Sequence, residues 1–143
     1  MRFHPLCIVA DIDEAIRLWR DVMGFEVKTE PTIPDGYDYG PTVMAPRALL
    51  EDLYRVQGAT ATVAVLVSRD GARMELLQPH LPGVEQTPPE CLLYGHSDIR
   101  EIGLVLENID GFLEEVRAAG YKTQSEYVWS SANMGRFGGV VNV

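Results

Sequence analysis

The strongest constraint on the fold is an internal repeat. The segment "FHPLCIVADIDEAIRLWRDVMGFEV" at residues 3–27 has a blurred copy, "REIGLVLENIDGFLEEVRAAGYKT", at residues 100–123. His4 heads the first copy and Glu101 the second, and a polar residue, Asp11 or Asn108, follows each head at the same spacing. A chain of 143 residues holds about one domain. The two copies are therefore expected to share one core as halves of a single domain.

Each copy has the pattern of a strand followed by a helix. Alternation places Cys7 and Val9 on the helix-facing side of the first strand, and His4, Leu6 and Ile8 on the opposite side. In the second copy, the same alternation puts three aliphatic residues toward the helix and the remaining residues, Glu101, Gly103 and Val105, on the opposite face. The two head residues, His4 and Glu101, thus occupy equivalent positions.

The helices of the repeat have clear start and stop signals. Asp11, with Glu14 three residues later, and Asn108 are the predicted N-caps. Apolar residues recur at helical spacing after each cap. Gly24 and Gly120 are the predicted stops, since glycine readily enters the left-handed conformation.

The segment between the copies predicts a loop, a short helix and a hairpin. A polar loop covers 31–42, "PRALLEDLYRVQG" predicts a helix closed by Gly58, and "ATATVAVLVS" and "ARMELLQP" predict strands joined by a tight turn at 69–71. The first half is thus a strand, a helix and three more strands. We predict one domain over 1–143, with module one at about 1–79, a linker at about 80–98 and module two at about 99–143.

Composition narrows the class of partner. Twenty-one acidic residues against twelve basic ones give a formal charge of −9, which disfavours nucleic acid and anionic membranes. Apolar runs are too short for a membrane helix, and the N-terminus does not have the pattern of a secretory signal. We therefore expect a cytoplasmic protein that binds a small molecule, with Cys7 and Cys91 reduced.

Two motifs resemble the vicinal oxygen chelate superfamily: the opening "H…V-x-D-I-x-x-A-I…W-R-D-V-M-G-F-E-V" and the hairpin "G-A-R-M-E-L-L-Q-P". This superfamily includes glyoxalase I, methylmalonyl-CoA epimerase, bleomycin-resistance proteins and extradiol dioxygenases. The resemblance implies an α+β fold. Two βαβββ modules related by a pseudo-two-fold axis would form a curled mixed sheet around a cleft. A shared fold does not by itself fix the reaction.

The resemblance also implies a divalent metal in that cleft, held by His4, Glu75 and Glu101. Nitrogen and carboxylate ligands suit Zn, Ni, Mn, Co or Fe, and a carboxylate at position 101, where many members of the family have histidine, favours the harder ions. Alternation places Glu75 opposite Met74 and Leu76. Each residue also has a structural interpretation: His4 at the surface, Glu75 in an ion pair with Arg73 or Arg100, and Glu101 as a solvated charge. His80 and His96 are expected to be solvated.

Two classes of function follow from the resemblance. One is a metal-dependent lyase or isomerase of the glyoxalase or epimerase type, in which Glu75 or Glu101 is the base and a metal-stabilised enolate forms from a small carbonyl substrate. The alternative is a metal-free protein of the bleomycin-resistance type that sequesters an aromatic ligand. An extradiol dioxygenase is disfavoured, since its iron site usually takes two histidines. Four residues of the 125–139 loop are candidates for substrate binding: Tyr127, Trp129, Asn133 and Arg136.

The second module lacks its last strand in this pattern. By analogy with module one, "GGVVNV" is the penultimate strand, so the hairpin that bears the fourth ligand of the family is not in the sequence. Either the given chain lacks this strand, or the strand is supplied another way, for instance by a partner subunit. An unpaired strand edge recruits partners. A homodimer is therefore expected.

Overall fold

A computed structural model describes residues 5–33, 45–83, 85, 87–88, 91 and 108–122. The chain divides into two compact units, Met1–Thr87 and Pro88–Val143. The first contains strands β1 (Leu6–Ile8), β2 (Glu26–Thr32), β3 (Ala61–Val67) and β4 (Arg73–Pro79), with helices α1 (Ile12–Arg17) and α2 (Arg47–Tyr54). In the second, helix α3 (Ile109–Ala118) is described.

The four strands form one mixed sheet in the order β1-β4-β3-β2. Strand β1 pairs in parallel with β4, whereas β4 with β3 and β3 with β2 are antiparallel. The predicted α+β class is confirmed, and so is the order of one strand, one helix and three strands in the first module. Helix α2 lies between β2 and β3 in the chain.

Helix α1 begins where the sequence predicts. The Asp11 carboxylate accepts hydrogen bonds from the backbone N–H groups of Asp13 and Glu14, both at 3.0 Å. The helix continues into a wider π-helical turn over Leu18–Val22, whose last bond runs from Met23 N–H to the Leu18 carbonyl at 3.0 Å. Gly24 follows at φ 71°, a conformation that glycine adopts without steric cost. This exit brings Phe25 edge-on to Trp19, with ring centroids 5.3 Å apart.

Apolar side chains pack on both faces of the sheet. On the first face, α1 covers a cluster that includes Ile16, Leu66 and Leu76, and Cys7 and Val9 pack against it as alternation predicts. On the second face, Leu50 of α2 packs with Leu77 of β4 and four other strand or loop residues, Ala45, Ala59, Ala61 and Val63. Burial of these side chains is the main stabilising contribution to the unit.

Two boundaries differ from the sequence prediction. Pro31 and Thr32 belong to β2 rather than to the following loop, and the proline is tolerated because β2 is an edge strand of the described sheet. Helix α2 ends at Tyr54, before the predicted stop at Gly58, and its C-cap Arg55 adopts the left-handed conformation at φ 57°. Gly58 N–H instead donates to the Glu51 carboxylate at 2.7 Å, which closes the turn that leads into β3.

In the second unit, α3 has the predicted cap and stop. The Asn108 side chain accepts a hydrogen bond from Gly111 N–H at 3.1 Å, Leu113 and Val116 are buried, and Gly120 has φ 90°. The predicted strand at 101–106, the pseudo-two-fold relation and the C-terminal strand lie outside the described residues. None of the helices in the described ranges is long and apolar enough to cross a membrane.

Candidate functional site

Glu75 lies near the middle of β4, between β1 and β3. Its sheet neighbours are Leu6 on the β1 side and Val65 on the β3 side, so the three residues form one row across the sheet. Met74 and Leu76 pack into the cluster under α1, which puts Glu75 on the opposite face, as alternation predicts. The Glu75 side chain is partly buried.

The backbone of β4 fixes the start of β1 at this row. Glu75 N–H donates a hydrogen bond to the Pro5 carbonyl at 3.0 Å, and Val9 N–H donates to the Leu77 carbonyl at 3.0 Å. These two bonds bracket the β1 segment along the edge of β4. Main-chain pairing therefore places Leu6 beside Glu75.

Cover over this face is uneven. In the row next to Glu75, Leu77 and Val63 are buried under α2, while their β1 neighbour Ile8 is 59% exposed. In the Glu75 row, Val65 is buried and Leu6 is 51% exposed. In these two rows the face is thus closed toward β3 and open along β1. Alternation identifies this face, but the sequence carries no signal that Leu6 and Ile8 remain exposed, and neither is among the predicted site residues.

Of the seven predicted site residues, the structure describes Glu75. The other six lie outside the described residues: His4, Glu101, Tyr127, Trp129, Asn133 and Arg136. Within the part of the chain that is described, no three His, Cys, Asp or Glu side chains gather into a group that could hold a metal ion. The predicted metal site and substrate contacts stay predictions.

His80 follows β4 and is exposed. Its Nδ1 lies 3.1 Å from the Thr60 hydroxyl and its Nε2 lies 2.8 Å from the Thr62 hydroxyl. Its backbone N–H also donates to the Thr60 carbonyl at 2.8 Å. These contacts tie the end of β4 to the start of β3, which indicates a structural role.

Burial raises the pKa of two further titratable side chains, Cys7 and Tyr54. Desolvation raises the pKa of the Cys7 thiol above its ordinary value, because burial disfavours the thiolate. Cys7 packs against the α1 cluster, on the face opposite Glu75, as the sequence predicts for a core cysteine. Burial likewise raises the pKa of Tyr54, which packs against the α2 cluster. Both groups are therefore neutral near pH 7.

Residues 3–137 match the model of the Glyoxalase/Bleomycin resistance protein/Dioxygenase superfamily, and the chain belongs to this superfamily. Among solved structures, a glyoxalase family protein from Bacillus cereus matches with a TM-score of 0.61 and 16% identity, over 92% of this chain and 80% of that one. The protein SMU.1112c matches with a TM-score of 0.50 and 19% identity, over 94% and 84%. At these identities the structural matches show the fold. No curated protein matches the sequence significantly.

Proposed function

We propose that the protein is a metal-dependent lyase or isomerase that removes a proton next to the carbonyl group of a small substrate. The observation that carries the proposal is the position of Glu75: a partly buried carboxylate on a central strand, beside an open stretch of the sheet face. Carboxylates in such partly apolar surroundings are candidates for binding or catalysis. Membership of the superfamily supports the reaction type.

The donor set fits a divalent ion. Glu75 would supply a carboxylate oxygen. His4 precedes Pro5, whose carbonyl accepts the Glu75 N–H, and continued alternation along β1 would put position 4 on the Leu6 and Glu75 face. With Glu101, the set would be one imidazole and two carboxylates, which suits Zn, Ni, Mn, Co or Fe.

In the reaction, the chain would position the substrate and move one proton. A bound ion would supply positive charge that stabilises the enolate oxygen. The Glu75 or Glu101 carboxylate would accept the proton from the carbon next to the carbonyl. Return of the proton to a carbon of the enolate, on the same face of the substrate or on the other, would complete an isomerisation. Leu6 and Ile8 would limit water at the reacting carbon, since their side chains cannot hydrogen-bond.

Deuterium exchange tests this function. The full chain is loaded in turn with each of the five ions and incubated in D2O with 3-hydroxybutan-2-one, whose hydroxyl and carbonyl groups are on adjacent carbons. Mass spectrometry follows exchange of the hydrogen on the carbon that bears the hydroxyl group. We expect ion-dependent exchange that Glu75→Gln lowers by about 100-fold or more. Glu26→Gln, the same change on an exposed residue of β2, should exchange like the parent. Exchange that is independent of the ion and of Glu75 would contradict the proposal.

A second candidate is a metal-free protein that sequesters a small aromatic ligand. The exposure of Leu6 and Ile8 favours it, because an apolar surface binds an apolar ligand without an ion. A ligand-binding measurement distinguishes the two functions. Ligand binding that is unchanged after removal of metal with EDTA and in Glu75→Gln supports sequestration, whereas loss of binding under both conditions supports the enzyme.

A further inference from the structure

Leu6 and Ile8 form an exposed aliphatic pair on the sheet face that carries Glu75. Their exposed fractions are 51% and 59%, although both lie in a strand that pairs with the central strand β4. Their neighbours across the sheet, Leu77, Val63 and Val65, are buried. Two adjacent exposed aliphatic side chains form a small apolar surface, of a size that a small molecule can cover. We call Leu6 and Ile8 the β1 pair.

The β1 pair is continuous with the candidate site. Leu6 pairs directly with Glu75, and Ile8 with Leu77, so all four side chains project from one face. Neighbouring strands of a sheet lie about 5 Å apart, so paired side chains on one face are adjacent. A small molecule in contact with the Glu75 carboxylate therefore also reaches the β1 pair.

Helix α2 marks where this open surface ends. Leu50 covers Leu77 and Val63, and Tyr54 packs against the same cluster. The cover includes Leu77 but not its β1 neighbour Ile8, so the boundary between closed and open surface runs between β4 and β1. A ligand at Glu75 can extend along β1, whereas the α2 cluster blocks the opposite direction.

We infer that the β1 pair is the apolar floor of the substrate site, and that the substrate carries an aliphatic or aromatic substituent on the carbon beside its reacting carbonyl. This inference rests on the proposed function. A small molecule is a better occupant than a second copy of the chain, because a stable interface needs roughly 800 Å² from each partner and two side chains offer much less.

Binding of a homologous series tests the inference. The probes are 3-hydroxybutan-2-one, 4-hydroxyhexan-3-one and 5-hydroxyoctan-4-one, which share the adjacent oxygens and lengthen the alkyl groups. The metal-loaded full chain is titrated with each probe, and isothermal titration calorimetry gives the dissociation constants of the parent and of the variants. We expect affinity to rise by about fourfold for each CH₂ that a step buries, the equivalent of ~0.8 kcal/mol per buried CH₂.

Variants locate the apolar contact. The double variant Leu6→Ser/Ile8→Ser should fold, since both side chains are exposed. In this variant the affinity should no longer rise with the length of the alkyl groups. Leu53→Ser removes an aliphatic side chain that is 64% exposed on α2 and should leave the dependence unchanged. Affinity that does not change with chain length in the parent would overturn the inference. So would a dependence that survives in the double variant, or a double variant that changes the oligomeric state of the protein.

Glu75→Gln separates this inference from the proposed function. If both hold, Glu75→Gln weakens all three probes by the same factor and keeps the dependence on chain length. If the dependence is present but Glu75→Gln binds and exchanges like the parent, the apolar floor stands and the metal-dependent function fails. If Glu75→Gln loses exchange while the parent shows no dependence on chain length, the function stands and the apolar floor is wrong.

Discussion

The side-chain amide of Gln78 donates a hydrogen bond to the main-chain carbonyl of Ala10 at 2.8 Å. The same side chain accepts from Ile12 N–H at 3.2 Å, so one residue of β4 holds both sides of the turn from β1 into α1. This long-range contact fixes the end of β1 against β4. The row that places Leu6 beside Glu75 depends on that alignment.

Gln78→Ala should therefore lower the free energy of unfolding by about 1–3 kcal/mol, because it removes two hydrogen bonds and leaves their backbone partners unsatisfied. Chemical denaturation measures the change. Gln57→Ala, the same substitution on an exposed residue after α2, should change stability by less than about 0.5 kcal/mol. Equal effects of the two substitutions would show that the Gln78 contacts add nothing to stability.

The cluster under α1 should dominate the stability of the first unit. Leu66 is fully buried at 0% exposure, so Leu66→Ala should cost about 2–5 kcal/mol of unfolding free energy through lost burial and a residual cavity. Leu53→Ala makes the same chemical change at an exposed leucine and should cost little. Thermal denaturation of both variants is the test, and a difference below about 1 kcal/mol would contradict the assigned core.

Cys7 should make stability depend on pH in the alkaline range. Its pKa is raised in the folded state because burial disfavours the thiolate. The folded protein thus keeps a proton that the unfolded chain releases above about pH 8.5. The stabilisation is complete below the unfolded pKa and is lost as the pH rises through the folded pKa. The difference in unfolding free energy between the parent and Cys7→Ser should be constant near neutral pH and shrink above pH 9; a constant difference across the range would refute the assignment.

We propose that the chain forms a homodimer, and β2 is a poor candidate for the contact. This edge strand carries Lys28, Pro31 and two irregularities of register, all of which hinder edge-to-edge pairing. Sedimentation velocity at micromolar concentration should give twice the mass of one chain. A stable monomer under those conditions would rule the dimer out.

Local sequence patterns predict much of the fold because their causes are local. Caps at Asp11 and Asn108, the stop at Gly24, and the face of Glu75 follow from neighbours a few residues away. The sequence does not predict the end of α2 at Tyr54 with Arg55 as the C-cap, because a nearby glycine is the usual stop.

The sequence does not predict the exposed surface of the candidate site. It depends on where Leu50 of α2 packs on the sheet and on the contact of Gln78 with the α1 turn, which join residues far apart in the chain. Alternation assigns Leu6 and Ile8 to the right face. Their exposure is a property of the packed structure.

Metal binding by Glu75→Gln is the most direct test of the proposed enzyme. The substitution keeps the size of the side chain and removes its charge, so the sheet should remain folded. The parent, Glu75→Gln and Glu26→Gln are dialysed against each of the five ions, and bound metal is counted by inductively coupled plasma mass spectrometry. We predict one ion per chain in the parent and in Glu26→Gln, and loss of most of it in Glu75→Gln. Equal metal content in all three proteins, or none in the parent, would contradict a site that includes Glu75.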